Sequence, residues 1–437
     1  MKDQKIIHDA VHGSISVKGV FLDLIESPEF QRLHDIKQLG LAHLVFPGAH
    51  HTRLEHSLGT YHISSLMCHA LDLEEQESQT IMSAALLHDV GHAPFSHSLE
   101  WFLKDRYGFT HDELTKKIIL GKESMLSNDD RENIGAPDTI SAILERHGID
   151  PKNVARLVTR TESGTDPSQT RLGQQKKGHF NLDKYPAQII HGPVDCDQMD
   201  YLIRDSYYTG VGHGVIDRDR ILNTLDVHNG DLVVESRGIS AAEGMLVARA
   251  LMFTTVYFHK TVRIAELMLT KAAENLKKEE MDVARKQNDS GFLAMLESRG
   301  DMSRKISASL RYRRLYKAAL IWKLAELDDR TIEFLEQFCD YKEKISIEER
   351  ICKRADVPKG SVILDVPGEE ILTTEPRMSS VNIGILENNK VKPLSRVSPL
   401  ASALQLRKIQ DWGLMVACPS QMRLMVKRAA ERILSVR

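Results

Sequence analysis

Cysteines are few in this sequence, and long apolar runs are lacking. The 437 residues include five cysteines, none of them in Cys-x-x-Cys spacing, at Cys68, Cys196, Cys339, Cys352 and Cys418. An odd and dispersed set of this kind predicts reduced thiols in a cytoplasm and argues against a disulfide framework. The first residues lead into no apolar signal region, and no apolar run of 18 residues occurs later. We therefore expect a cytoplasmic protein that has no membrane partner.

An excess of charge of one sign is also lacking. Lys and Arg number 58 and Asp and Glu number 61, which gives a formal net charge of -3, and aromatic residues make up 6% of the chain. A surface that coats nucleic acid needs a basic groove with stacking aromatics. This composition therefore argues against nucleic acid as a main partner, although a local basic patch stays open. The length allows a sizeable core, divided among about two or three structural units.

Hydrophobic spacing predicts a mainly α protein. Residues 6–20 alternate loosely around Gly13, which is typical of a short hairpin or an extended arm. Helical spacing recurs at 22–25, 30–38, 52–71, 80–90, 193–205, 240–280 and 301–345, and the polar residues 161–178 predict a loop. Beyond residue 349, β-like segments at 361–366 and 381–386 precede a closing helix at 420–434. We therefore predict a helical core over 1–345 and a small α+β region over 346–437.

The most informative stretch lies at 83–97. An apolar helical run ends there in the adjacent pair His88 and Asp89, Gly91 offers a helix exit, and His92 and His97 follow closely. Four ligand-type side chains within ten residues, directly after a buried helix, seldom arise by chance. This pattern indicates a functional site. The alternative is a polar helix end with solvated histidines.

A metal site is the chemistry that these residues favour. A divalent metal needs several N or O ligands that converge from different elements, and the candidates are His56, His88, Asp89 and Asp197. Such a site polarises a phosphoryl group and lowers the pKa of a bound water molecule. Taken alone, His56 is explained as a hydrogen-bonded helix histidine and Asp197 as a solvated carboxylate, so only the whole set favours one divalent ion. Mn, Fe, Mg, Co and Zn all suit these ligands.

Further polar residues surround this set in the sequence. The three other histidines can act as general acid, phosphate clamp or orienting groups, and they are His92, His97 and His111. Four cations can hold a polyphosphate, namely Arg53, Arg204, Arg249 and Lys260. An ordinary surface ion pair explains each of these cations equally well. The helical stretch at 195–205 places Asp197, Tyr201, Arg204 and Asp205 on one face.

These motifs resemble those of a known family. The quoted residues are Thr52-Arg53-Leu54-Glu55-His56-Ser57, His88-Asp89-Val90-Gly91-His92-Ala93-Pro94-Phe95-Ser96-His97 and the stretch 195–205. They resemble the HD-domain phosphohydrolases, and most closely the dNTP triphosphohydrolase branch that includes the animal sterile-alpha-motif/HD-domain enzyme. The segments 9–13, 28–33, 36–40, 45–49 and 257–260 extend this similarity, which is strong over about 1–265, thinner to about 345 and weak beyond.

The resemblance implies a fold, a reaction and residue roles. It implies an HD-domain helical core that holds one metal ion through His56, His88, Asp89 and Asp197. It implies that His97 is the general acid and that His92 and His111 lie beside it. It implies triphosphate contacts from Arg53, Arg249 and Lys260, and it places Tyr257 on the later phosphate-side helix. It implies sugar contacts from Gln38, Tyr201 and Asp205. The implied reaction is attack of water at the α-phosphorus of a dNTP, which gives a deoxynucleoside and inorganic triphosphate.

The resemblance also implies regulation. Members of this branch often form dimers or tetramers with an activating nucleotide between subunits. Two sets of residues match parts of that nucleotide site, Lys5, Glu26, Gln31 and His34 in the first and Arg313 and Lys317 in the second. Glu26 and His34 stand where the animal enzyme has a guanine-reading Asp and Arg, and His8 replaces an Asn, so we do not expect guanine-specific activation. The alternative for the stretch from Arg313 to Lys317, in the basic run 311–317, is a solvated basic helix face.

Two other functions stay open on the sequence. An HD site hydrolyses many phosphoesters, so a nucleoside monophosphate is an alternative substrate. A protein that keeps the HD scaffold but binds nucleic acid is the alternative from a different class. Gln38, Asp205, Arg249 and Lys260 favour the triphosphate substrate.

Overall fold

The computed structural model describes residues 4–95, 110–135, 137–159, 184–366, 383–405 and 412–434, together with Leu99, Leu103 and Gly108. The loop predicted at 161–178, the start of the strand predicted at 381–386 and the predicted general acid His97 lie outside these residues. The described chain is mainly helical with small sheets, which confirms the predicted fold class.

The N-terminal arm is an antiparallel hairpin, the first of the two predicted alternatives. Strand β1 (Gln4–Asp9) pairs with β2 (Gly13–Lys18), and Gln4 lies opposite Lys18. Gly13 has a φ of 74° in the connecting turn, a conformation that favours glycine. Two short helices follow, α1 (Val20–Ile25) and α2 (Pro28–Gln31), and Pro28 begins α2 as expected for a residue with a preset φ. The helix predicted over 30–38 is wrong at its end, because a 3-10 turn (Arg32–Asp35) leads to an extended Ile36 and Lys37 pairs with Thr52.

The helical core begins with α3. Its start is defined by a reciprocal cap in which Thr52 and Glu55 bond to each other's backbone N–H groups. The helices up to residue 222 are α3 (Arg53–Ala70), α4 (Glu75–Leu87), α5 (His111–Ile119), α6 (Asn128–Asn133), α7 (Ile140–Arg146), α8 (Pro151–Val158), α9 (Tyr185–His191), α10 (Cys196–Thr209) and α11 (Arg218–Leu222). Apolar side chains of α3, α4, α8 and α10 pack in one core, which fixes these helices relative to one another.

The helix predicted at 240–280 is interrupted. Helix α12 (Ile239–Met252) continues into a π-helical turn (Phe253–Tyr257), and α13 (Lys260–Ala273) begins anew. Tertiary contacts explain the break, because the Phe258 ring stacks on Trp412 at 4.7 Å and His259 caps α13 from an extended backbone. The stretch Ser236–Tyr257 has the length and mean hydropathy, 1.3, of a membrane span, and 56% of that window is buried inside the protein. Buried core helices of soluble proteins have the same properties.

The helix predicted at 301–345 is wrong in its middle. After α14 (Lys278–Ala284), α15 (Asp289–Glu297) and α16 (Asp301–Arg311), the chain turns at Arg313, which has a φ of 54°. Lys317 then begins strand β5 (Lys317–Lys323). The apolar residues 318–322 pair with a fully buried strand, and this pairing outweighs helix propensity. The basic run 311–317 is therefore a helix end, a turn and the first residue of a strand.

The two larger sheets join distant parts of the chain. The remaining elements are β3 (Leu225–His228), β4 (Asp231–Glu235), α17 (Asp329–Glu336), α18 (Tyr341–Ala355), β6 (Ile363–Asp365), β7 (Gly384–Glu387), β8 (Lys390–Pro393), α19 (Leu394–Val397), α20 (Pro399–Gln405), β9 (Trp412–Cys418) and α21 (Arg423–Leu434). Strand orders are β3-β4-β7-β8 and β5-β9-β6, and β4 pairs with β7 in parallel. Backbone pairing thus crosses the division predicted after residue 345, which itself falls within α18.

Candidate active site

Three helices bring two histidines and one carboxylate together. His56 lies on α3, His88 follows the last residue of α4, and Asp197 lies in the first turn of α10. Their ligand atoms all lie within 4.8 Å of one another. Asp197 Oδ1 is 3.0 Å from His56 Nε2 and 3.8 Å from His88 Nε2. Two imidazole nitrogens and a carboxylate oxygen in one cluster form a donor set that fits a divalent transition metal.

The orientation of both rings supports this assignment. Nδ1 of His56 lies 2.7 Å from Asp200 Oδ2, and Nδ1 of His88 lies 2.8 Å from the carbonyl oxygen of Ala85. Because carboxylate and carbonyl oxygens only accept, each Nδ1 carries the proton and each Nε2 is turned toward Asp197. Burial favours the neutral ring of His56, but hydrogen bonds to Asp197 and Asp200 raise its pKa to about 10. A cation that binds here therefore displaces a proton from Nε2.

Asp89, the fourth predicted ligand, borders the cluster. Its Oδ1 is 3.3 Å from Nε2 of His88, and its Oδ2 is 3.9 Å from Nε2 of His56. The carboxylate is also engaged by Nη1 of Arg53 and by Nε2 of His92 at 3.0 Å. Burial opposes the charged form, but Arg53 and the neighbouring histidines hold the pKa of Asp89 well below its usual range. Asp89 thus links the cluster to a buried guanidinium, and its role as a ligand stays a prediction.

Two of the predicted catalytic histidines form a stacked pair. The rings of His92 and His111 are 4.1 Å apart and nearly parallel, at 15°. Burial lowers the pKa of His92 well below its usual range, and the charges of Arg53 and His111 add to this effect. The lowered pKa favours the neutral imidazole of His92, which suits an orienting role better than a fixed positive clamp.

Glycine is required at position 91 by close packing and not by the helix exit that the sequence predicts there. A Cβ atom at this position would lie 2.4 Å from both the backbone nitrogen and the hydroxyl of Thr115 on α5. The Thr115 hydroxyl accepts from the Gly91 N–H and donates to the carbonyl oxygen of His88. Glycine is needed here because α5, which begins with His111, packs directly on the turn after His88.

A second polar cluster is built on Asp205 at the other end of α10. Its Oδ2 accepts from the hydroxyl of Tyr257 at 2.7 Å, and its Oδ1 lies 2.7 Å from Nε2 of His51. The backbone N–H of Gln38 donates to the carbonyl oxygen of His51, so Gln38 is carried to the same place. Its side-chain Oε1 is buried and makes no hydrogen bond within the described residues. Tyr201 joins this group through its ring contact with Tyr257 at 5.9 Å.

Only some of the predicted phosphate-binding cations lie beside the cluster of His56, His88 and Asp197. Arg249 is buried on α12, and its Nη1 donates to Oε1 of Gln198 at 2.6 Å, one residue after the candidate ligand Asp197. Lys260 is exposed as the first residue of α13. The structure therefore buries Arg53 and Arg249 beside residues of the cluster, whereas Lys260 is exposed.

Comparison with known proteins identifies the family of this chain. The family model described as the HD domain matches residues 53–205, and that described as the HD associated region matches residues 216–437. The chain belongs to the HD-domain family. An uncharacterized protein of Methanocaldococcus jannaschii is 31% identical over 95% of this chain and 80% of its own length.

Other curated relatives and a solved structure are also similar to this HD-domain chain. The deoxynucleoside triphosphate triphosphohydrolase SAMHD1 homolog of Dictyostelium discoideum is 29% identical over 72% of this chain and 60% of its own length. The chain spans about half of the length of several further curated relatives. A hypothetical protein of Aquifex aeolicus has a crystal structure with a TM-score of 0.64 and 28% identity, over 98% of this chain and 99% of that one. The resemblance to the dNTP triphosphohydrolase branch is confirmed at the level of sequence similarity.

Asp200 is the HD-domain residue that the sequence analysis missed. It lies three residues after Asp197 on α10, so the two carboxylates hold opposite nitrogens of the same His56 ring. Its Oδ1 lies 2.6 Å from Nε2 of His12, in the turn of the N-terminal hairpin. Burial opposes ionisation, but Arg204, His12 and His56 hold the pKa of Asp200 well below its usual range. The spacing of three from Asp197 was the available signal.

Arg204 belongs to this buried network and not to a phosphate site. Its guanidinium bonds to both oxygens of Asp200 at 2.9 Å and to Asp9 Oδ2 at 2.7 Å, and its side chain is fully buried. Gly59 on α3 makes room for this ion pair, because a Cβ atom there would lie 1.8 Å from Asp200 Oδ1 and 2.4 Å from Arg204 Nη2. The interpretation of Arg204 as a polyphosphate contact is therefore wrong, since its hydrogen-bond partners among the described residues are the carboxylates of Asp9 and Asp200.

We expect Asp200→Asn to weaken metal binding. The amide can no longer accept from both His56 and Arg204 as a charged group, so the His56 ring loses the partner that sets its proton on Nδ1. Losses of this kind cost about 10- to 100-fold in metal affinity. Titration of the metal-free protein with Mn²⁺ measures the change. Exposed Asp219→Asn on α11 is the control, and equal Mn²⁺ affinities in the two variants would contradict the role of Asp200.

The residues predicted to bind an activating nucleotide are exposed. Lys5 forms an ion pair with Glu26, and both side chains are 62% exposed. Gln31 donates from Nε2 to the carbonyl oxygen of Ile25 at 2.8 Å, and Arg313 donates from Nε to the carbonyl oxygen of Leu44 at 2.6 Å. His34 and Lys317 are exposed as well. Their role as an activator site stays a prediction.

Proposed function

We propose that this HD-domain phosphohydrolase is a dNTP triphosphohydrolase. The observation that carries the proposal is that one helix, α10, bears both the metal-type carboxylate Asp197 and, two turns later, the carboxylate Asp205 with its buried polar partners. Eight residues of helix rise about 12 Å, which leaves room between the two carboxylates for a metal-bound α-phosphate at the first and a sugar hydroxyl bonded to the second.

The cluster of His56, His88 and Asp197 is the part of the chain that we propose to support phosphoryl transfer. His56, His88 and Asp197 would hold a divalent ion, which supplies Lewis acidity toward a phosphoryl oxygen and activates water. The buried guanidiniums of Arg53 and Arg249 lie beside this cluster and add positive charge for the triphosphate. Lys260, the exposed first residue of α13, is the third cation that we propose to contact the triphosphate.

The proposed reaction balances as a hydrolysis. The oxygen of water bonds to the α-phosphorus, the bond from that phosphorus to the 5′-oxygen of the sugar breaks, and the 5′-oxygen receives a proton. His97 is the proposed donor of this proton. The products are a deoxynucleoside and inorganic triphosphate.

The sugar cluster suggests how the substrate is chosen. The Gln38 side-chain oxygen is buried without a hydrogen bond among the described residues, so a hydroxyl donor of the sugar would satisfy it. Asp205 is held from both sides by His51 and Tyr257 and presents a fixed acceptor. Tyr201 packs against Tyr257, and we propose that these two rings exclude a 2′-hydroxyl on the sugar.

A product assay tests this function. The purified full-length chain is incubated with each dNTP separately and with all four together, in Mn²⁺ or Mg²⁺, and the products are separated. We expect inorganic triphosphate and deoxynucleoside in equal amounts. Release of pyrophosphate or orthophosphate, or turnover of nucleoside monophosphates alone, would contradict the proposal and favour the other phosphoester substrate.

Activation and assembly are part of the proposal. We propose a cytoplasmic dimer or tetramer that binds an activating nucleotide. The residues proposed to contact this nucleotide are the two exposed sets named above, one that includes Lys5 and one that includes Arg313. Turnover only in the mixture of dNTPs, with a concentration-dependent increase in mass by light scattering, is the expected result. Equal turnover of single dNTPs by a monomer would contradict it.

A further inference from the structure

We propose that Asp289 is a positioning residue through which the HD-associated region holds two segments of the active site together. It is the first residue of α15, it is 2% exposed, and it lies outside the region that the HD-domain family model matches. The inference on catalysis rests on the proposed dNTP function. The positioning of the backbone does not.

The carboxylate of Asp289 accepts from two backbone N–H groups of distant segments. Oδ2 accepts from the N–H of Lys37 at 3.0 Å, and Oδ1 accepts from the N–H of Phe95 at 2.9 Å. The Lys37 ammonium adds a charge partner at 3.8 Å. Each oxygen thus has its own backbone donor, and a buried carboxylate used in this way fixes the distance between the two segments.

The first segment carries the sugar-side residue. Lys37 precedes Gln38, and an antiparallel bridge joins Lys37 to Thr52, the cap of α3. The N–H of Arg53 donates to the carbonyl oxygen of Ile36 in the same pairing. Asp289 therefore anchors a short strand-like pair that delivers both Gln38 and Arg53 to the site.

The second segment is the loop that follows the His-Asp pair. Phe95 ends the described part of this loop and has a φ of 51°, a conformation that costs energy for a residue other than glycine. Its N–H bond to Asp289 and its ring contact with Phe292, at 6.2 Å on the same helix, compensate that cost. The loop is thus held in a strained shape by α15.

A neighbouring cation strengthens the same junction. Arg32 donates to the carbonyl oxygens of His92 and of Gln287, the latter at 3.0 Å. His92 lies in the loop and Gln287 lies two residues before Asp289. The segments at 32–38, 90–95 and 287–292 therefore meet in one place, and Asp289 bonds to the backbone of the first two.

Two substitutions separate positioning from folding. Asp289→Ala removes both acceptors, whereas Asp289→Asn keeps one oxygen and presents an amide donor to the other N–H group. Glu297→Gln, at the far end of the same helix and paired with Arg311, is the matched control. All three are made in the full chain and compared with the wild type after loading with Mn²⁺.

Hydrogen exchange is the primary readout. We expect the amides of Lys37 and Phe95 to exchange about tenfold faster in Asp289→Ala, one of the two to do so in Asp289→Asn, and neither in the control. Bound Mn²⁺ per chain stays unchanged, because His56, His88 and Asp197 are not contacted by Asp289. Unchanged exchange at both amides, or an equal increase throughout the chain, would overturn the proposal.

Activity gives the second readout. With dNTP as substrate we expect kcat to fall about 10²-fold and KM to rise in Asp289→Ala, since misplacement by about 1 Å has effects of this size. Wild-type kcat in that variant would overturn the catalytic part. If the wild-type chain hydrolyses no dNTP, the proposed function fails, and the exchange rates at Lys37 and Phe95 still decide the role of Asp289.

Discussion

Replacing His56 by alanine is expected to abolish turnover and leave the fold intact. The change removes one of three donors whose ligand atoms lie within 4.8 Å of one another. Asp200 keeps His12 and Arg204 as partners, so no buried charge is left alone. Loss of the ion withdraws several kcal/mol of charge stabilisation, so we expect kcat to fall by about 10³-fold or more.

The measurement combines metal content with rates. Bound metal is determined by mass spectrometry of the purified variant, and kcat is determined in excess Mn²⁺. His69→Ala is the matched control, because His69 lies exposed in the last turn of the same helix. His88→Ala and Asp89→Ala are expected to abolish turnover as well. If these two variants kept full activity with metal, the proposed site would be wrong.

The second large effect is on stability. Arg204→Leu is expected to lower the free energy of unfolding by about 3–5 kcal/mol, the usual cost of removing one partner from a buried ion pair. The substitution leaves Asp9 and Asp200 without their shared guanidinium, and both lie in a fully or almost fully buried place. The whole junction between the N-terminal hairpin and α10 loses its charge balance.

Urea unfolding of the metal-free protein measures this loss. Arg311→Leu is the control, since Arg311 pairs with Glu297 while its side chain is 49% exposed. Exposed pairs contribute about 0–1 kcal/mol. Equal losses of unfolding free energy in the two variants would show that Arg204 does not hold a buried network.

Local patterns were sufficient where the signal lies within a few residues. The cap at Thr52 and Glu55 begins α3 where the spacing predicts it, and the hairpin at 4–18 and the helix that begins at Cys196 follow their alternation and capping residues. Local patterns failed at Phe258 and at Lys317. There, stacking on Trp412 and pairing with a buried strand outweigh helical spacing.

The sequence by itself determined which side chains are candidate ligands, because His56, His88, Asp89 and Asp197 follow from motif and helix spacing. Only the tertiary structure decided how those side chains are held. Asp9 and Arg204 are 195 residues apart and Phe95 and Asp289 are 194 apart, so no local periodicity relates them. The physical reason is that a buried carboxylate takes its charge or N–H partners from whichever segments the packed core brings beside it.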